Sequence, residues 1–153
     1  MWRELISQLA ADEEPIYGLD PGPTFSDGAT LEELAAVEKH LGRSLPADLS
    51  ELLSETNGVL VTFGVHLIWN TDELVKYNHP DDDSAWPFRP LHCPDDLFFF
   101  GNIDGEPFAF ASGPDGSPEE HVYIAFSGYN DLEWRADTLR GYVEGWLTGK
   151  LSA

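Results

Sequence analysis

The chain predicts an α+β fold: N-terminal helices packed on a mainly antiparallel sheet of about five or six strands, with a helix closing the chain. Three observations carry that expectation. Apolar residues recur at helical spacing up to Asn57-Gly58, and the period then shifts to two through β-branched and aromatic runs. Asp104-Gly105, between Phe98/Phe100 and Phe108/Phe110, is the strongest hairpin signal in the chain. Apart from one short helical segment at Thr71–Tyr77, helical spacing returns only after Ala136. Helices grouped before strands, rather than alternating with them, separate this class from a parallel α/β sheet.

Each element has a local reason. Trp2, Leu5, Ile6 and Leu9 fall at i, i+3, i+4 and i+7, one face of a first helix. Asp12 to Asp27 holds Pro15, Pro21, Pro23, Gly18 and Gly22, too many breakers for a regular element. Thr30 and Glu33 form a capping box, in which hydroxyl and carboxylate each satisfy an orphan amide. The helix they open turns Leu34, Val37 and Leu41 inward and stops at Gly42. Pro46, suited to a first turn, starts a third helix with Leu49, Leu52 and Leu53 inward, and Asn57-Gly58 ends it.

Val59–Phe63 and Val65–Trp69, split by Gly64, read as paired strands or one bulged strand. Thr71 caps a short helix to Tyr77 with Leu74 inward. Asn78 to Asp96, rich in proline and aspartate, reads as irregular. Leu97–Ile103 and Glu106–Ala111 form the hairpin, with Phe98, Phe100, Phe108 and Phe110 on one buried face. His121–Phe126 is a further strand, and Ala136–Leu147 a last helix burying Leu139, Val143, Trp146 and Leu147. With no internal repeat and no long linker, residues 1–153 read as a single domain.

Composition excludes several classes. There are 28 acidic and 8 basic residues, a formal charge of −20. Such a balance repels phosphate, so the reading is no direct nucleic-acid partner, no anionic membrane surface, and a basic partner if there is one. Hydrophobic residues at 42% and aromatics at 12% exclude a disordered chain. Cys93 is the single cysteine, with no nearby cation to activate it and no second thiol to pair with. The N-terminus has no basic segment followed by an apolar one, and no apolar run approaches the ~20 residues of a membrane span. The expectation is a cytoplasmic protein.

Motifs of chemistry fail on inspection. Gly145 to Leu151 has three residues between its glycines where a phosphate-binding loop has four, and Leu151 where Ser or Thr would bind magnesium. A helix C-terminus explains it better. Asp81-Asp82-Asp83 lacks the glycine and glutamate of a calcium loop, and reads as a solvated acidic segment. His40, His66, His79, His92 and His121 fall on different elements without ligand spacing. No metal, no cofactor and no enzymatic activity are expected. Trp86, Phe88, Tyr129 and Trp134 lie in irregular polar stretches, as loop anchors on the domain itself or as partner hot spots.

The caps and core positions of the first half carry a resemblance. Gly28-Ala29-Thr30, Glu33-Leu34, Glu38, Leu41-Gly42-Arg43-Ser44-Leu45-Pro46, Asp48-Leu49, Leu52-Leu53 and Asn57-Gly58-Val59 resemble the signature of the SUKH superfamily (the Smi/Knr type). Leu74, Phe99-Phe100-Gly101, Phe108 and Trp146-Leu147 agree with it. The resemblance implies an α+β domain without catalytic activity. It also implies a function, since bacterial members are typically cytoplasmic immunity proteins that bind and neutralise polymorphic toxins, often nucleases. Eukaryotic relatives include regulators of cell-wall assembly, so a regulatory or scaffold domain binding another cellular protein is the alternative. No partner-contact residue carries over, and the sequence sets no oligomeric state.

Charge mapping adds candidate contact residues. Glu4–Glu38 holds nine acidic residues and no basic one, and so does Pro90–Trp134. The second stretch spans the hairpin and supplies Asp95, Asp96, Asp104, Glu106, Asp115, Glu119 and Glu120. Carboxylates on a rigid sheet would mimic nucleic-acid phosphates toward a basic nuclease. Spread evenly over roughly 7,700 Å², the net charge places about two charges in an 800 Å² interface half. A dedicated patch on this face should carry about four or more.

Overall fold

The computed structural model describes residues 1–12, 23–42, 44–61, 65–78, 98–103, 108–112, 122–126 and 132–148. For several residues of the later strands only the backbone is described. The elements are α1 (Trp2–Asp12), β1 (Thr24–Phe25), α2 (Leu31–Leu41), α3 (Ala47–Glu55), β2 (Val59–Val61), β3 (Val65–Ile68), α4 (Thr71–Asn78), β4 (Phe98–Ile103), β5 (Phe108–Ser112), β6 (Val122–Phe126), β7 (Leu132–Ala136) and α5 (Leu139–Leu147). The strands form one antiparallel sheet in chain order, β1 to β7. Helices α1, α3 and α5 pack on one another, α5 rests on β7, α4 on β4, and α2 on α4.

The α+β expectation holds, with seven strands against the five or six expected, and two of the seven fall where no strand was expected. β1 lies inside the segment expected to be a loop, and β7 covers Leu132–Ala136, so Trp134 belongs to a strand rather than an irregular stretch. A two-residue strand leaves no period to detect. Tyr142, absent from the expected core, is fully buried on α5 beside Leu139 and Val143. Its hydroxyl donates to the Leu67 carbonyl at 3.2 Å, which places a polar tip on the sheet backbone. Desolvation holds that phenol well above its ordinary pKa. Tyr142 also meets Phe100 edge-on at 5.3 Å.

Period two breaks at the bulges. Phe99 faces Ala111 while Gly101 faces Phe110, so Phe100 is an extra residue in β4. Phe98, Phe99 and Phe100 are consequently all buried, where alternation placed only the first and third inward. Between β2 and β3 the extra residue is Leu67, and Leu67, Ile68 and Trp69 are likewise consecutive and buried. β3 and β4 approach closely there. A Cβ on Gly101 would sit 2.6 Å from the Leu67 carbonyl oxygen and 2.7 Å from that of His66.

The helix ends follow the expected chemistry with three adjustments. Thr30 Oγ1 accepts from the Glu33 amide and Glu33 Oε1 accepts from the Thr30 amide, both at 3.1 Å, and Gly42 closes α2 at φ 69°. Pro46 is the N-cap of α3 rather than its first-turn residue. Thr56, extended at φ −151°, is that helix's C-cap, while Gly58 takes the left-handed φ of 96° two residues later. The cap of α4 is Asn70, not Thr71. Asn70 Oδ1 accepts from the Glu73 amide at 2.8 Å and Glu73 Oε1 accepts from the Asn70 amide at 3.2 Å, a reciprocal box one residue upstream.

Candidate partner-binding surface

The seven carboxylates singled out by charge mapping, Asp95, Asp96, Asp104, Glu106, Asp115, Glu119 and Glu120, lie outside the described residues. So do Asp81, Asp82, Asp83, His79, His92, Cys93, Trp86, Phe88 and Tyr129. The strands flanking the seven are described. Phe98 pairs with Ser112, which pairs with Val122, and these three mark one end of the sheet. Ile103 and Phe108 mark the other. The hairpin connection bearing Asp104 and Glu106 thus attaches at the opposite strand ends from the segments bearing the other five.

Five residues of the superfamily signature, Gly28, Ala29, Leu53, Asn57 and Gly58, meet at one junction. Gly28 passes so close to α3 that a Cβ would overlap the Ser54 carbonyl oxygen. The next amide, of Ala29, donates to the Leu53 carbonyl at 2.7 Å. Thr56 is buried, accepts from the Ser26 amide at 3.1 Å and donates to the Gly58 carbonyl at 2.8 Å. Asn57 spans the gap to α4: its Oδ1 accepts from the Thr71 amide at 2.9 Å, and its Nδ2 donates to Thr71 Oγ1 at 3.1 Å. Gly58 lies against Asn70, where a Cβ would meet backbone at 3.1 Å. The junction thus joins the β1 strap, the end of α3 and the start of α4. Its polar groups are turned on one another.

Beside the junction a surface groove of about 270 Å³ opens over β1, β2 and β3 up to the first turn of α4. Thr24 pairs with Leu60, and Leu60 with His66, so these three form a cross-strand row. Val59 and Ile68 line the groove and are buried, whereas Leu60 is 41% exposed. Among the described residues of the lining, Glu73 is the one carboxylate. Its Oε1 serves the Asn70 cap, and its Oε2 lies 3.6 Å from His66 Nδ1. No short-range pattern in the sequence marks this groove, because β1 is a two-residue strand defined only by its pairing with β2.

Glu55, near the end of α3, does structural work. Burial pushes its carboxyl up, but the Met1 ammonium at 2.7 Å and the first amides of α1, including Arg3 N at 3.2 Å, outweigh it and hold the pKa below the ordinary carboxylate range. Among the described residues, no group of three His, Cys, Asp or Glu side chains is placed to hold a metal ion, and no helix is long and apolar enough to cross a membrane. Helix α5 ends in a Thr148 C-cap whose amide donates to the Glu144 carbonyl at 3.0 Å, at the position where the sequence mimics a phosphate loop.

The model of the SMI1/KNR4 family (SUKH-1) matches residues 28–145, well over half of the chain. Its first matched residue is the glycine that lies against Ser54. No curated protein matches the chain.

Proposed function

We propose, from the premise that the chain belongs to the SMI1/KNR4 family (SUKH-1), that it is a cytoplasmic immunity protein that binds and neutralises a polymorphic toxin. The family supports a protein-binding immunity or regulatory domain in general. The finer reading rests on the charge: at −20, the chain is suited to a basic toxin domain such as a nuclease. Neutralisation is by occupancy, without catalysis, and residues 1–153 act as one domain.

The acidic residues of the 90–134 stretch, Asp95, Asp96, Asp104, Glu106, Asp115, Glu119 and Glu120, supply the carboxylates that replace substrate phosphates. Co-expression with the toxin encoded beside its gene tests the proposal: cells that carry both should survive. Equal killing with and without this chain would remove the immunity reading for that pair. The regulatory alternative would then be favoured if the chain instead co-purified with a protein of its own cell.

A further inference from the structure

We infer that the groove over β1, β2 and β3 is a docking subsite for a single arginine side chain of the protein partner, seated between Leu60 and the carboxylate of Glu73. The inference rests on the protein-binding reading above and gives it a second, smaller contact built from other residues than the seven acidic candidates. Size selects a side chain first. About 270 Å³ falls below the roughly 300–1,000 Å³ of sites for whole small molecules or cofactors.

Charge selects the cation. A helix N-terminus ordinarily attracts anions, but the first turn of α4 already holds Asn70 Oδ1 and the Glu73 carboxylate on its amides. A second anion there would face the Glu73 carboxylate, and the Asn70 and Glu73 amides already have acceptors. A cation meets the opposite situation. Glu73 Oε2 has a 3.6 Å approach to His66 Nδ1, longer than a hydrogen bond, and the side chain stays 28% exposed. A carboxylate oxygen in that state can accept from a guanidinium.

The rest of the lining suits the stem of arginine. Phe25 and Leu60 offer apolar surface, and Leu60 is one of only three large hydrophobic side chains exposed among the described residues. The Phe25 ring already carries a guanidinium, that of Arg3, 5.1 Å from its centroid. Arginine is favoured over lysine because its planar fork pairs with a carboxylate while its stem covers apolar surface.

The test is an amide-shift NMR titration of the full chain with two blocked pentapeptides, Ac-Thr-Val-Arg-Val-Thr-NH2 and the same peptide with Glu in place of Arg. The arginine peptide should shift the amides of Leu60, His66, Asn70 and Glu73 in a saturable way, and the glutamate peptide should not. Glu73→Gln retains the capping box, since glutamine also serves at that position, and should weaken the arginine peptide about tenfold. Leu60→Lys, on an exposed position, should abolish it. Equal binding of both peptides, shifts that avoid the groove, unchanged affinity in Glu73→Gln, or no saturable shift at millimolar peptide would each overturn the subsite. The titration needs no toxin, so its failure leaves the immunity reading standing. A saturating groove in a chain that gives no protection would remove the toxin and keep the subsite.

Discussion

The junction around Gly28, Thr56 and Asn57 and the groove share Ser26, Asn57, Gly58 and Asn70 as a common wall, yet their remaining side chains are used in opposite ways. In the junction every named donor meets an acceptor of the same chain: Ser26 with Thr56, Thr56 with Gly58, Asn57 with Thr71. In the groove Leu60 is 41% exposed and Glu73 keeps one oxygen at 3.6 Å from its nearest partner. A surface whose polar groups are mutually satisfied contributes to folding and offers little to a partner. Family-level resemblance therefore concentrates where the fold is fixed, and contact chemistry lies where polar capacity is left over.

Breaking the junction should give the largest effect. Gly28→Ala forces a Cβ onto the Ser54 carbonyl, backbone against backbone, with no flexible atom to yield. A loss of about 3 kcal/mol or more is expected, read as a lower denaturant midpoint in urea with unchanged slope. Asn57→Ala comes next. It removes both amide bonds to Thr71, and the same measurement should show about 1–3 kcal/mol.

Smaller effects sharpen the contrast between acids that hold the fold and acids that face a partner. Glu55→Gln should cost about 0.5–1 kcal/mol at neutral pH, since the carboxylate caps the first amides of α1. Its depressed pKa fixes the sign of the pH dependence. The contribution is fully present above the unfolded value of about 4.3 and disappears as pH falls through the lower folded value. Urea midpoints of parent and Glu55→Gln should therefore converge on acidification below about pH 4. Glu73→Gln closes the series. Its capping geometry survives, so stability should shift by less than about 0.5 kcal/mol while arginine binding in the groove falls.

The parts of the fold that were legible in the sequence are those with a short-range cause. The Thr30 box, the Gly42 stop, the inward faces of α1 to α3 and the β2–β3 and β4–β5 pairings all follow from neighbours within a few residues. The misses have long-range causes. β1 exists because Thr24 and Phe25 pair with Leu60 and Val59, more than 30 residues away. Three consecutive buried phenylalanines need a bulge that no alternation rule contains. Asn70 displaces Thr71 as cap because Asn57 claims the Thr71 hydroxyl and amide. The groove was the least legible part. Charge counting points to stretches of sequence, whereas the groove arises from residues of β1, β2, β3 and α4 brought together by the sheet.

A stoichiometric titration of purified toxin domain with this chain distinguishes binding from any catalytic inactivation. Occupancy predicts that residual toxin activity falls linearly and reaches its floor at one chain per toxin. The apparent affinity should weaken as salt is raised from about 50 to 200 mM, because complementary charge drives association. Full inactivation at a small fraction of one equivalent, or a complex indifferent to salt, would contradict an acidic protein that acts by covering a basic surface.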